Sequence, residues 1–223
     1  MDINALYSHL DELFRTQQID QVEPYLLEQL MVANQELNKD VSLAIVNELI
    51  GFYRSQNRFE EALRVANQAL SLCASEYILG SISHATTLLN TATTYQLSGQ
   101  PEKALELFKQ AEKIYEEKLS IGDDHFAGLF NNMSAVYADL GDTDKAAEYL
   151  LRAAAIMDAL PNRVVESAVT HANLAALYFK TKNYYGAKRE ISTACSLLEN
   201  RSECAGQYQQ FRAMQDMFAA YPD

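Results

Sequence analysis

The stretch "GDDHFAGLFNNMSAVYADLGDTDKAAEYLLRAAAI", Gly122–Ile156, decides the fold of this 223-residue chain. Apolar residues recur at helical spacing on both sides of "DLGD". Gly141 in that tetrapeptide suits the left-handed backbone at the end of a helix. The stretch therefore predicts two helices joined by a tight turn.

The same pattern occurs four times along the chain. Gap-free segments begin at Leu49, Thr91, Met133 and Leu174, at steps of 42, 42 and 41 residues. A tyrosine holds one column, at Tyr53, Tyr95, Tyr137 and Tyr178. Small residues hold two columns seven apart, Ala62, Ala104, Ala146 and Ala187, then Ala69, Ala111, Ala153 and Ala194. Small side chains on the second helix let the two helices approach closely, and the tyrosine fills the gap between neighbouring hairpins.

This pattern resembles the tetratricopeptide repeat, which is usually about 34 residues long. The longer period here, with Gly122–Ile156 as its clearest copy, is similar to the kinesin-light-chain subtype. The resemblance implies an all-α fold, a right-handed superhelical α-solenoid of stacked antiparallel helical hairpins with a C-terminal capping helix. We expect the connections between hairpins to be longer than the turns within them.

We expect one solenoid domain over residues 1–223. It begins with a degenerate hairpin, 1–40, and continues with four repeats, 43–84, 85–126, 127–167 and 168–202. The apolar stripe of 203–221, which includes Phe211 and Phe218, predicts a helix that covers the last repeat, as an open solenoid end requires. The plan gives five hairpins and a cap, or about eleven helices, and no strands.

Charge and composition narrow the classes of partner and location. The formal net charge is −12, from 30 acidic and 18 basic residues, so the surface repels nucleic acid and anionic lipid. The N-terminus lacks the features of a signal peptide, no membrane span is apparent, and three cysteines without metal-type spacing favour a reducing compartment. We expect a cytoplasmic protein that binds proteins or peptides and neither nucleic acid nor membrane.

The repeat columns also assign the positions that line a groove, because the first helices of such a stack form its concave side. Asparagine recurs five residues before the tyrosine, at Asn90, Asn132 and Asn173, and Glu48 takes this column in the first full repeat. The other groove candidates lie between two residues before and two after the tyrosine: Arg54, Thr93, Gln96, Ala135, Asp139, Ala176, Phe179 and Lys180.

Two interpretations of the asparagine column stay open. A side-chain amide both donates and accepts, which suits it to the backbone of an extended peptide. In tetratricopeptide proteins with this pattern the groove asparagine commonly holds a peptide main chain, and the resemblance gives that role to Asn90, Asn132 and Asn173. Alternatively, the column only bonds a neighbouring helix and fixes the stacking.

The remaining polar residues near the groove receive separate interpretations. Glu48 interrupts the asparagine column and would suit a basic ligand group. The cations Arg54 and Lys180 are three repeats apart, so a clustered carboxylate site of the kind some tetratricopeptide domains have is not expected. Asn131 has Asn47, Leu89 and Ala172 as equivalents, and we expect it to be a tolerated neighbour without a role.

Catalysis finds little support in the sequence. The histidines lack metal-ligand spacing, and neither a Gly-rich phosphate loop nor a nucleophile elbow is present. "GDDH", 122–125, combines carboxylates with an imidazole, but an aspartate there more often caps the next helix. We expect no enzymatic activity, metal or cofactor.

Three functions follow from this interpretation. The first is a non-enzymatic interaction module that binds a peptide segment of a partner in its groove. The second is a self-associating scaffold, such as a homodimer formed through the capping helix or convex face. The third is a peptide-sensing regulator.

Overall fold

The computed structural model describes residues 3–74 and 78–222. Within these ranges the regular structure is eleven α-helices and one 3-10 turn, Ser202–Cys204, with no strand. Residues 75–77, part of the connection after the second hairpin, lie outside them. The helices are α1 Ile3–Arg15, α2 Ile19–Gln35, α3 Lys39–Ser55, α4 Phe59–Cys73, α5 Ile82–Leu97, α6 Pro101–Lys118, α7 Asp124–Asp139, α8 Thr143–Asp158, α9 Val164–Lys180, α10 Tyr184–Leu198 and α11 Ala205–Ala219. The all-α prediction is confirmed.

Tight turns close each hairpin with one residue in the left-handed region. Gly99 and Gly141 have φ of 80° and 84°, and Asn57 has 58°. Lys182, a poorer fit for this column, still adopts φ 64°, and Asn183 after it caps α10 by accepting a hydrogen bond from the Gly186 N–H. The connections 119–123 and 159–163 are longer than these three-residue turns, as expected.

The chain packs as two compact units, Met1–Lys118 (unit 1) and Leu119–Asp223 (unit 2). In unit 1 successive helices α1 to α6 pack on one another, and α3 also packs on α5. In unit 2, α7 to α10 form two hairpins whose first helices, α7 and α9, are in contact. Each unit is therefore a stack of antiparallel helical hairpins.

The repeated small residues form the core of these hairpins. All eight alanines of the two columns are fully buried, with no exposed surface. Because an alanine methyl is short, the paired helices approach closely, as the sequence predicts. Tyr53 packs against the preceding hairpin, where its hydroxyl donates to Glu23 Oε1 at 2.8 Å. Cys73 and Cys195 are buried without disulfides.

The helix α11 covers the end of unit 2. Phe211 and Phe218 are buried against α10 and α9, in a cluster that also holds Tyr208 and Met214. This apolar stripe hides the face of the last hairpin, which confirms the predicted capping helix.

Candidate functional site

A pocket of about 350 Å³ lies on the face where α7 and α9 run side by side in unit 2. Both helices are the first of their hairpins, so this is the predicted groove position. The residues around it are Asn131, Asn132, Ser134, Ala135, Ala138, Leu150, Asn173, Ala176, Leu177 and Lys180. We call it the unit 2 pocket.

Five of the predicted groove residues line this pocket together. They are Asn132 and Ala135 on α7, and Asn173, Ala176 and Lys180 on α9. Residues three, four and seven positions apart share a helix face, which explains why each set converges. The small alanines leave open space beside the polar groups.

Phe179, another predicted groove residue, has different surroundings. Its ring stacks on Phe218 with centroids 4.4 Å apart and meets Tyr221 edge-on at 4.9 Å. Phe179 therefore belongs to the cluster beneath the cap, because α11 occupies the side of α9 to which it points. Asp139 is exposed at the end of α7 and does not line the pocket.

Asn131 ties the two first helices together. Its Nδ2 donates to the Thr170 hydroxyl at 2.9 Å and to the Ala127 carbonyl at 3.0 Å. Its Oδ1 accepts from Asn173 Nδ2 at 3.2 Å. The expectation that Asn131 has no role is wrong, and Asn173 is the member of the predicted column that it binds.

The side chain of Asn132, in contrast to that of Asn131, does not bond the neighbouring helix. It is half-buried on the pocket wall, yet it forms no hydrogen bond with any residue in the described ranges. A half-buried amide offers two donors and an acceptor. These groups face the open volume of the pocket.

Lys180 supplies the positive charge of this pocket. It is exposed and forms no ion pair with a residue that the structure describes. Other cations of the same unit are paired, such as Arg163 with Asp124 and Glu166, and Arg189 with Glu190. Lys180 is therefore a cation of this unit that the fold does not neutralise, as is Lys182, but only Lys180 of the two lines the pocket.

Unit 1 repeats the asparagine arrangement one double repeat earlier. Asn90 Nδ2 donates to Asn47 Oδ1 at 3.0 Å, and Asn47 Nδ2 donates to the Thr87 hydroxyl at 3.0 Å. Asn90, like Asn173, is thus bound to the preceding first helix. For these two residues the geometry favours the stacking interpretation of the column.

The other predicted residues of unit 1 lie around this network. Arg54 is half-buried, donates to the Asn90 carbonyl at 3.3 Å, and has its pKa lowered by burial. The Thr93 hydroxyl bonds the Leu89 carbonyl of its own helix, and Gln96 is half-buried one turn further along.

Glu48 lines a separate, smaller pocket of about 170 Å³ beside α1. Burial, and secondarily the nearby charge of Asp11, raises the pKa of its carboxyl above the usual range. The walls of this pocket come from Leu10, Phe14, Val22, Leu26, Glu48, Gly51, Phe52 and Ser55. We call it the unit 1 pocket.

The "GDDH" segment serves as a helix cap, as the sequence indicates. Asp123 is the N-cap of α7 and accepts from the His125 N–H at 3.1 Å and from its ring Nδ1 at 2.6 Å. Asp124 binds the guanidinium of Arg163. Ligand atoms of the half-buried Asp123 and Asp124 and of the exposed His125 lie within 4.8 Å of one another, but local partners already engage all three.

Ala138 on the pocket wall shares the predicted column of Arg54 and Gln96, one residue after the tyrosine. Sequence reasoning missed the other four residues of the unit 2 pocket: Asn131, Ser134, Leu150 and Leu177. A signal for Asn131 exists at twice the repeat length. Asn47 and Asn131 are 84 residues apart, and their hydroxyl partners Thr87 and Thr170 are 83 apart. The single-repeat alignment hides this pair because Leu89 and Ala172 interrupt the column.

Among the described residues, the helices do not include one that is both long and apolar enough to cross a membrane.

The chain is similar to known proteins in both sequence profile and fold. Family profiles described as tetratricopeptide repeat match residues 41–117 and 127–156. No curated protein matches the chain significantly. The crystal structure of BtubC (BKLC) from P. vanneervenii is similar with a TM-score of 0.70 and 18% identity, covering 93% of each chain. A putative kinesin light chain from Podosopora anserina with nearly identical TPR-like repeats has a TM-score of 0.64 and 19% identity, covering 80% of this chain and 93% of that one.

Both solved structures share the hairpin architecture described above. Their sequences are only 18% and 19% identical to this chain, so the similarity shows the fold alone. Tetratricopeptide repeats form protein–protein interaction modules and are typically non-catalytic scaffolds. Residues 41–117 and 127–156 therefore contain tetratricopeptide repeats, which imply a protein–protein interaction module, and the fold of the chain is similar to that of kinesin-light-chain-like repeat proteins.

Proposed function

We propose that this protein binds an extended peptide segment of a partner protein in the unit 2 pocket. The observation that carries the proposal is the contrast between two adjacent amides. Asn131 is committed to Thr170 and Asn173, whereas Asn132 lines the pocket and binds no described residue. A polar side chain that the fold does not use is available for a ligand.

The chemistry of the pocket suits a peptide backbone. The Asn132 amide matches the alternating N–H and C=O groups of an extended chain. Ala135 and Ala176 are small and exposed, so a main chain can come close to the helix surface. Buried Leu150 and Leu177 give the pocket an apolar part for one ligand side chain.

Lys180 adds a preference for negative charge on the ligand. Its ammonium lies at the C-terminal end of α9 and has no counter-ion among the described residues. A carboxylate of the bound segment would pair with it, and this contact should depend on salt because the side chain is exposed.

The test is affinity capture from native lysate with mass spectrometry, using the full chain and the variant Asn132→Ala. We expect the variant to fold normally and to lose the specific partner. A single substitution is preferable to the triple change of Asn90, Asn132 and Asn173, because Asn90 and Asn173 bond neighbouring helices. Removing these two hydrogen bonds would also lower the stability of the fold, so a loss of partner capture would not report on binding alone.

A matched control is Asn67→Ala on α4, which removes an exposed amide outside the pocket. This variant should retain the partner. Capture of the same partner in undiminished amount by Asn132→Ala would refute the proposal.

A further inference from the structure

The unit 1 pocket occupies the same repeat columns as the unit 2 pocket. On α3 its residues Glu48, Gly51 and Ser55 align with Asn173, Ala176 and Lys180 on α9. Both pockets lie beside the first helix of the preceding hairpin. The charge is inverted: a carboxylate replaces an amide, and a hydroxyl replaces an ammonium.

Glu48 has no partner within its own unit. Its side chain is half-buried, and it forms neither a hydrogen bond nor an ion pair with a residue in the described ranges. The charged group that acts on it is Asp11, another carboxylate; burial, and secondarily the charge of Glu48, raises the pKa of the nearby Tyr7. A partly desolvated carboxylate without a counter-ion is unfavourable for the fold, and a ligand cation would relieve that cost.

The walls of the pocket select the kind of cation. Leu10, Leu26 and Phe52 are buried, and the ring of Phe14 is about half exposed at the rim. Apolar walls suit the methylene stem of a long basic side chain whose charged head reaches a carboxylate. The volume of about 170 Å³ fits one such side chain. A hydrated metal ion would gain nothing from these walls.

We propose that the unit 1 pocket binds one lysine or arginine side chain of a protein partner, with Glu48 as its counter-ion. The Ser55 hydroxyl, also on the pocket wall, is a further acceptor for the bound cation. This inference deepens the proposed function, because it assigns a second contact to the same kind of ligand, in the other unit and with the opposite charge.

The experiment is an NMR titration of the full chain, labelled at the methyl groups of leucine and valine. The probe is n-butylguanidinium chloride, which carries the head and stem of an arginine side chain, at constant ionic strength. We expect saturable shifts of the Leu10, Val22 and Leu26 methyl signals. Equal concentrations of n-pentanol and sodium butyrate, the neutral and anionic counterparts, should shift them at least tenfold less.

The decisive variant is Glu48→Gln, which keeps the shape of the side chain and removes its charge. We expect its affinity for n-butylguanidinium to fall at least tenfold, while its circular dichroism spectrum stays unchanged. The matched control Glu28→Gln, at an exposed acid on α2 outside the pocket, should bind as wild type does. Equal binding by Glu48→Gln, equal shifts with n-pentanol, or no saturable shift would each overturn the inference.

The experiments can refute either proposal without refuting the other. The variant Asn132→Ala should leave the n-butylguanidinium shifts intact, because the residue lies in the other unit. Loss of partner capture by Asn132→Ala without any shift at Leu10 or Leu26 would support the unit 2 pocket and overturn the cation site. Shifts at Leu10 and Leu26 with undiminished capture by Asn132→Ala would support the cation site and refute the unit 2 pocket.

Discussion

The adjacent asparagines of α7 allow a structural role to be distinguished from a binding role by comparing two substitutions. Asn131→Ala and Asn132→Ala make the same chemical change at neighbouring, half-buried positions of one helix. The gain from replacing asparagine by a better helix former, about 0.5 kcal/mol, is therefore common to both. Any difference in stability reports the hydrogen bonds that only Asn131 makes.

The expected difference follows from the contacts. Asn131→Ala removes two bonds to α9, one with Thr170 and one with Asn173. Each is worth about 0.5–1.5 kcal/mol net. The Thr170 hydroxyl keeps its bond to the Glu166 carbonyl, and Asn173 is exposed to water, so no large desolvation penalty is added. We expect Asn131→Ala to be less stable than Asn132→Ala by about 1–3 kcal/mol.

Urea unfolding followed by far-ultraviolet circular dichroism measures this difference. The midpoints should be compared only if the slopes agree, because arrays of repeats can lose two-state behaviour. Asn132→Ala should equal or slightly exceed the wild type in stability. If Asn132→Ala costs as much as Asn131→Ala, the two amides play equal parts in the fold and the reasoning behind the binding site fails.

Three further predictions concern other buried features. Glu48→Gln should raise the urea midpoint at pH 7, with the gap to wild type closing as pH falls towards 4. Burial, and secondarily the charge of Asp11, raises the pKa of the Glu48 carboxyl, so its charged form, beside Asp11 and Tyr7, is unfavourable in the folded state; an unchanged midpoint at pH 7 would contradict this. His171→Ala should cost about 1–3 kcal/mol in urea unfolding, because the buried Glu190 carboxylate loses its 2.7 Å contact with His171 Nδ1 and keeps only its pair with Arg189; a loss below about 1 kcal/mol would refute it. Gly186→Ala should lower the thermal midpoint instead of giving the usual gain of about 0.5–1 kcal/mol for a helix, because its Cβ would lie 2.8 Å from Tyr178 Cδ2, and a higher midpoint would be the contrary result.

The sequence predicts the fold well because each repeated column reflects a packing or backbone requirement of the helical hairpin. A column that is alanine in all four full repeats, such as that of Ala62 and Ala104, is constrained by the approach of two helices. The left-handed turn residue is constrained by the backbone alone, which is why even Lys182 conforms. Such constraints are local and recur in each copy, so alignment finds them.

The site is harder to predict because partners on other helices decide its chemistry. The column of Asn90, Asn132 and Asn173 looks uniform in sequence, yet two members are bonded to a preceding helix and one is not. For the two bonded members, the acceptor is the residue six positions before the tyrosine of the preceding repeat in the same unit. That residue is Asn47 for Asn90 and Asn131 for Asn173, and the uniform column gives no sign of it.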